Sequence, residues 1–362
     1  VVEPQAAVVE QRAAVPILQL QGVSKSFRVG QRTIGRARPQ LRALVDIDLQ
    51  VMAGQSLGIV GESGCGKSTL ARIMLGLARP DAGSVKFEGR ELTQLRRRPR
   101  DVALAVQMVF QDPYSALNPR MTVGDAILEP LRVHRIVSIA QAPQERDRLL
   151  EQVGLAPSLA HRYPHELSGG QRQRVNIARA LSVRPRVIVA DEAVASLDVS
   201  VQGQILNLLT DLREQLGLTL VFISHDLSVV DHLCDRVAVM YLGRIVEEGS
   251  SAILREGSKH HYTHGLAQAI PQPVPVGTGE QRRSQPAIGG ELPSPINPPS
   301  GCAFRTRCPA GQKPCAEATP PLDGVEPGHR VACYFPITPR EASSAGQGDE
   351  AVTGQLNMSQ SP

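Results

Sequence analysis

At 362 residues, 41% of them hydrophobic and 20% charged, the chain has the balance of a globular protein with a sizeable core, enough for one large domain or two smaller ones. No apolar run nears the roughly 18–20 residues that cross a bilayer. The start of the chain lacks the basic-then-apolar pattern of a secretion signal. The expectation is a chain that stays in the cytoplasm and meets membranes only through partners.

Aromatic residues make up only 3% and Trp is absent, so the core must be built mainly from Val, Leu, Ile and Ala. The net charge of +4 includes Arg clusters within residues 28–42 and 96–100. Neither cluster carries interleaved aromatics or a recognisable nucleic-acid module, so both read as solvated surface and no nucleic acid is expected as partner.

Residues 1–16 read as a disordered leader. From residue 17 to about 249, short Val/Ile/Leu strands alternate with helical segments, the pattern of an α/β domain. Strands are expected at 17–23, 43–51, 56–60, 105–110, 187–190, 218–223 and 236–241. A helix over 199–216 places Ile205, Leu208, Leu209, Leu212 and Leu216 on one apolar stripe. The domain is taken to span 17–270. A Pro/Gly-rich linker, 271–300, a Cys-bearing segment, 301–340, and a disordered tail, 341–362, follow.

The strand at 56–60 runs into Gly61-Glu-Ser-Gly-Cys-Gly-Lys-Ser-Thr69. This is GxxxxGK[ST] between a strand and a helical stretch, the context of a P-loop. Glycines let the backbone wrap closely and aim N–H groups at phosphate oxygens, and a helix start near Lys67 adds its positive dipole end. Gly61, Ser63, Gly64, Cys65, Gly66, Lys67, Ser68 and Thr69 are the expected ATP contacts. Lys67 is assigned to the β- and γ-phosphates and the Ser68 hydroxyl to Mg²⁺. The strand at 187–190 leads into Asp191 and Glu192, placed to hold the metal and to act as general base, respectively.

Leu167-Ser-Gly-Gly-Gln171 is similar to the signature motif of ABC ATPases, with a helix expected over 171–183. In that family Ser168, Gly169, Gly170 and Gln171 face the γ-phosphate of a nucleotide. The other family elements follow in order. Phe27 matches the aromatic that stacks on adenine, and Gln111 matches the Q-loop glutamine that touches Mg²⁺. Asp198, in Ser196-Leu-Asp198, resembles the D-loop aspartate, and His225 resembles the switch histidine. Gln111-Asp-Pro-Tyr-Ser-Ala-Leu-Asn-Pro-Arg-Met-Thr-Val123 resembles the Q-loop region of oligopeptide, dipeptide and nickel importers, second-ATPase type. His260–Thr263 echoes that subfamily's His-Pro-Tyr-Thr. Departures are Cys65, Ala193, the order Ala195-Ser196, and His261.

The resemblance implies a P-loop NTPase of the ABC type, with a RecA-like core, an antiparallel β subdomain, a helical subdomain and a small Cys-rich C-terminal extension. It also implies a head-to-tail dimer with a paralogous ATPase or with a second copy of the chain, two transmembrane permeases, and an extracytoplasmic binding protein reached indirectly. Its site would be the cytoplasmic face of the inner membrane. Cys302, Cys308, Cys315 and Cys333 are separated by five, six and seventeen residues, unlike the short knuckles of common zinc sites. Importer ATPases of this type carry a similar quartet, associated in some members with a 4Fe–4S cluster. Zinc and unligated thiols are the alternatives.

Overall fold

The computed structural model describes residues 15–30, 38–95, 98–269 and 288–338. Most of the expected leader, linker and tail, and parts of both Arg clusters, lie outside these residues.

In chain order the first strands are β1 (Leu18–Arg28), β2 (Gln40–Val51), β3 (Ser56–Val60), β4 (Ala82–Phe87) and β5 (Arg90–Glu91). All but β3 form an antiparallel arm sheet in the order β2-β1-β4-β5. The strands β6 (Val106–Val109), β7 (Val187–Asp191), β8 (Thr219–Ser224), β9 (Arg236–Tyr241), β10 (Arg244–Ser250), β11 (Asp323–Glu326) and β12 (His329–Val331) join β3 in a second sheet, ordered β11-β12-β10-β9-β3-β8-β7-β6. The segment β9-β3-β8-β7-β6 is parallel and the rest antiparallel.

Parallel strands covered on both faces should read as unbroken apolar runs, and β3, β7 and β8 are buried throughout. Alternate side chains then serve opposite cores. Leu57, Ile59, Val189, Val221 and Ile223 face the arm sheet and α1 (Lys67–Met74). Ile188, Ala190, Leu220 and Phe222 join the helical side.

That side is built from α3 (Pro113–Ala116), α4 (Val123–Val133), α5 (Ala142–Gln152), α6 (Gly169–Leu181), α7 (Val199–Leu216), α8 (Leu227–Leu233), α9 (Ser251–Gly257) and α10 (His261–Gln268), whereas α2 (Arg100–Ala105) packs Val102 and Ala105 into the arm-sheet core. The last described helix, α11 (Lys313–Glu317), belongs to the cysteine segment. None of the described helices is long and apolar enough to cross a membrane.

The sequence expectation for α7 needs one correction. Ile205, Leu206, Leu209 and Leu212 are buried, but Leu216 is 45% exposed. It is the last helical residue before Gly217, whose positive φ of 62° turns the chain away from the sheet. The helix expected at 171–183 starts two residues earlier, because the Ser168 hydroxyl caps it by accepting from the Gln171 amide at 3.3 Å.

The cysteine segment is stitched to the main sheet. β12 pairs with β10, and the His329 ring donates to Glu247 Oε1 at 2.8 Å, both residues being fully buried. Phe304 packs edge-on against Tyr241, centroids 5.3 Å apart, and against Tyr262 at 5.4 Å. His261, a departure from the subfamily pattern, bonds the Phe335 carbonyl at 2.9 Å and so helps to hold the same segment.

Candidate active site

The site begins where β3 ends. Gly61 and Gly66 allow the loop to fold tightly: a Cβ on either would lie 2.2 Å from a backbone carbonyl oxygen, that of Met240 or Ala43. Gly66, at φ 111°, caps α1, a backbone shape that a side chain would strain. Lys67 is buried, and its ammonium donates to the Gly61 carbonyl at 2.7 Å and the Glu62 carbonyl at 3.1 Å. Ser63 and Gly64 are exposed and Thr69 is half-buried. Cys65 is 1% exposed and its thiol is pushed up by burial, so the side chain packs beneath the loop and only its backbone is available to a ligand.

β7 delivers the acids. Ser68 Oγ donates to Asp191 Oδ1 at 3.3 Å, placing two oxygen donors of the kind Mg²⁺ prefers side by side. Burial raises the Asp191 carboxyl above its ordinary range; the Ser68 hydrogen bond opposes this and the neighbouring Glu192 charge adds to it. A bound cation would relieve that cost.

Glu192 stands at φ 46°, left-handed backbone for a residue with a side chain, with its amide fixed to the Ile223 carbonyl at 2.9 Å. That turn carries the carboxylate out of the strand direction. Its Oε2 accepts from Gln111 Nε2 at 2.6 Å, and its Oε1 lies 3.8 Å from His225 Nδ1. Gln111, Glu192 and His225, from three separate segments, thus converge beside Lys67, Ser68 and Asp191.

The other expected contacts stand apart. Among the described residues no hydrogen bond or ion pair joins Ser168–Gln171 to the P-loop. The signature turn packs instead on the D-loop and the first turn of α7: a Cβ at Gly169 would meet Leu197 at 3.3 Å, and one at Gly170 would meet Val201 Cγ1 at 2.5 Å. Asp198 caps α7 by accepting from the Val201 amide at 3.0 Å, which holds its carboxyl below the usual range. Phe27 is 41% exposed on the arm sheet, with Lys25 Nζ 5.6 Å over its ring.

Several linking residues escaped the sequence reading. α6 ties the signature to the Q-loop: Arg172 lies 3.7 Å over the Tyr114 ring, Gln173 Nε2 donates to the Phe110 carbonyl, and Arg179 donates to that of Ala116. The His-Tyr-Thr element also has a structural reason, since the Tyr262 hydroxyl accepts the Glu62 amide of the P-loop at 2.9 Å.

The four C-terminal cysteines do gather. Cys302, Cys308, Cys315 and Cys333 line one narrow cavity with His260, Phe304 and Phe335, and no carboxylate is among its walls. Burial raises the Cys302 and Cys308 thiols, and it raises Cys333 to about 11 with the other three thiols adding. Yet among the described residues no group of three or more His, Cys, Asp or Glu stands ready to hold a metal ion.

Fold and site together define an ATP-binding cassette: a P-loop ATPase whose signature helix and D-loop pack on each other, apart from the cradle. A family model described as ABC transporter matches residues 44–195. A second, described as oligopeptide/dipeptide transporter, C-terminal region, matches residues 246–315. The oligopeptide transport ATP-binding protein OppF of Haemophilus influenzae is 45% identical over 321 residues, covering 88% of this chain and 96% of that protein. YkfD of Bacillus subtilis, also named for oligopeptide transport ATP binding, is 47% identical over 323 residues, 89% and 96% of the two chains. Among solved structures, the dimeric post-hydrolysis state of the cassette MJ0796 bound to ADP and Pi matches with a TM-score of 0.57 at 28% identity, covering 65% of this chain and 98% of that one. The chain belongs to the ABC transporter ATP-binding proteins of the oligopeptide/dipeptide branch, and it is an ATPase.

Proposed function

We propose that this chain energises import of oligopeptides and dipeptides through a membrane ABC transporter, as one half of a head-to-tail ATPase dimer with a second, paralogous subunit. The observation that carries the reading is the convergence of Lys67, the Ser68–Asp191 pair and the Gln111–Glu192–His225 set at the end of β3 and β7, in a chain whose relatives are named for oligopeptide transport.

In this reading Phe27 stacks on adenine, and the loop from Gly61 through Thr69 cradles the phosphates with Lys67. Ser68, Asp191 and Gln111 would hold Mg²⁺, which would neutralise phosphate charge. Glu192 takes a proton from the attacking water as its oxygen bonds to the γ-phosphorus and the bond to the ADP oxygen breaks; His225 contacts the γ-phosphate. Ser168, Gly169, Gly170 and Gln171 of one subunit, with Asp198, meet the nucleotide held by the other. The start of α6, capped by Ser168, would supply first-turn amides for that contact. ATP then joins the two halves, and hydrolysis removes the charge that held them.

A groove of about 560 Å³ beside the Q-loop is lined by Leu75, Leu77, Phe110, Glu129, Val133 and Arg179. Leu77 and Val133 are 69% and 70% exposed there. Such an apolar patch with charged edges suits a short coupling helix from one of the two permeases, next to the loop at 111–123, the second permease docking on the other ATPase. The chain would be peripheral, on the cytoplasmic face of the inner membrane, and linked to an extracytoplasmic binding protein only through the permeases. Isolation of the tagged chain from membranes in mild detergent is expected to bring two multi-span proteins and a second ATPase. Recovery of the chain with soluble partners only would remove the importer reading.

The domain reading is an ATPase unit over 17–270, a linker over 271–300 and a small Cys-rich extension over 301–340. Four thiols with no carboxylate around one cavity fit a thiolate-ligated cluster in kind, and a cluster spreads its ligands more widely than a single ion does. Cys302, Cys308, Cys315 and Cys333 would hold a 4Fe–4S cluster as a cross-link in a segment with little core of its own. Anaerobically purified chain is expected to carry about four iron and four sulfide per polypeptide; neither element above background would end this part of the proposal.

A further inference from the structure

The second residue of the P-loop is an acid, Glu62, at a place where a polyanion must bind. Every polar group of Glu62 is engaged. Its amide donates to the Tyr262 hydroxyl at 2.9 Å, and its carbonyl accepts from Lys67 Nζ at 3.1 Å. Its carboxylate is gripped by both terminal nitrogens of Arg307, at 2.7 and 2.9 Å. Arg307 lies 245 residues further along the chain, next to Cys308, and its side chain is 6% exposed. It is held from behind by the Gly289 carbonyl at 3.1 Å, the Ile288 carbonyl at 3.5 Å and the Tyr241 hydroxyl at 3.3 Å. The Tyr241 and Phe304 rings lie about 6 Å away. A paired, two-pronged contact of this kind fixes both the position and the charge of a carboxylate.

We propose that Arg307 is a positioning residue of the nucleotide site, contributed by the cysteine segment and acting through Glu62. Its cation offsets the Glu62 carboxylate and turns that carboxylate away from the phosphate cradle. Without it, an unpaired negative charge would stand in the same loop as a nucleotide bearing several negative charges, in a partly desolvated setting where like charges repel strongly. The same contact links the Cys302–Cys308 turn to the P-loop, so a disturbance of that turn reaches the loop through one side chain.

The test is steady-state ATP hydrolysis by the full chain, with the parent's own KM for MgATP as baseline, for Arg307→Met, Glu62→Gln and the double variant. Arg307→Met is expected to raise KM about 5- to 20-fold, with kcat changing less, and the effect should shrink in about 0.5 M salt. Glu62→Gln, which leaves Arg307 as a surplus cation near the phosphates, is expected to lower KM about two- to fivefold. The double variant, with neither charge, should return KM to within about threefold of the parent. A merely structural clamp would raise KM in both single variants and leave the double no better than Arg307→Met; either result overturns the proposal. Should Arg307→Met fail to fold, Glu62→Gln decides the matter by the direction of its KM change.

Discussion

ATP turnover by a Glu192→Gln variant is expected to fall by about 10²–10⁴-fold while ATP binding persists, so that an ATP-bound dimer accumulates. Gln keeps the length and planarity of Glu, so the strained turn at φ 46° and the contact from Gln111 both have a near equivalent. What it loses is the basic oxygen facing His225 and the space where water would attack. Phosphate release measured alongside size-exclusion chromatography, with and without MgATP, separates the two effects. A variant that turns over within about threefold of the parent would remove Glu192 from the role of base.

Glu247→Ala is expected to cost about 3–5 kcal/mol of stability. Glu247 is fully buried on β10, where Oε1 accepts the Lys259 amide at 2.7 Å and the His329 ring at 2.8 Å, and Oε2 accepts the His260 amide at 3.1 Å. Truncation leaves two amides and a ring N–H without partners in a site that water does not reach, and each such group carries its own penalty. The loss should be greatest where β12 joins β10, so the cysteine segment should become sensitive to protease before the rest of the chain. Glu247→Gln, which keeps one acceptor oxygen, should cost clearly less. Urea unfolding followed with limited proteolysis measures both; a loss below about 1 kcal/mol in Glu247→Ala would show that the buried network contributes little.

Most of the nucleotide-site chemistry was legible in the chain because it rests on short contiguous segments. Glycines at 61, 64 and 66, a strand before them and a helix after them are local requirements, and the strands at 56–60 and 236–241 match β3 and β9 residue for residue. The unbroken apolar runs also announced strands buried on both faces. Less legible were β4, β5, β11 and β12, short or exposed strands in the arm sheet or at the far edge of the main one, where polar residues blur the alternation. The end of α7 was misread because periodicity continues past the point where neighbouring structure stops needing it.

By itself the sequence determined the class of the protein, the order of its motifs and the identity of the phosphate-binding and acidic residues, since these depend on neighbours a few residues apart. Only the tertiary structure decided which of them meet. It brought Gln111, Glu192 and His225 to one point from segments more than thirty residues apart, while leaving the signature turn packed on the D-loop. It also folded residues 301–338 back onto the ATPase unit, through β12, the buried Glu247–His329 pair and the Arg307–Glu62 contact. A pairing between an acid at 62 and a base at 307 leaves no local trace in the chain. It exists because sheet extension and buried polar groups can be satisfied only once distant segments have been packed together.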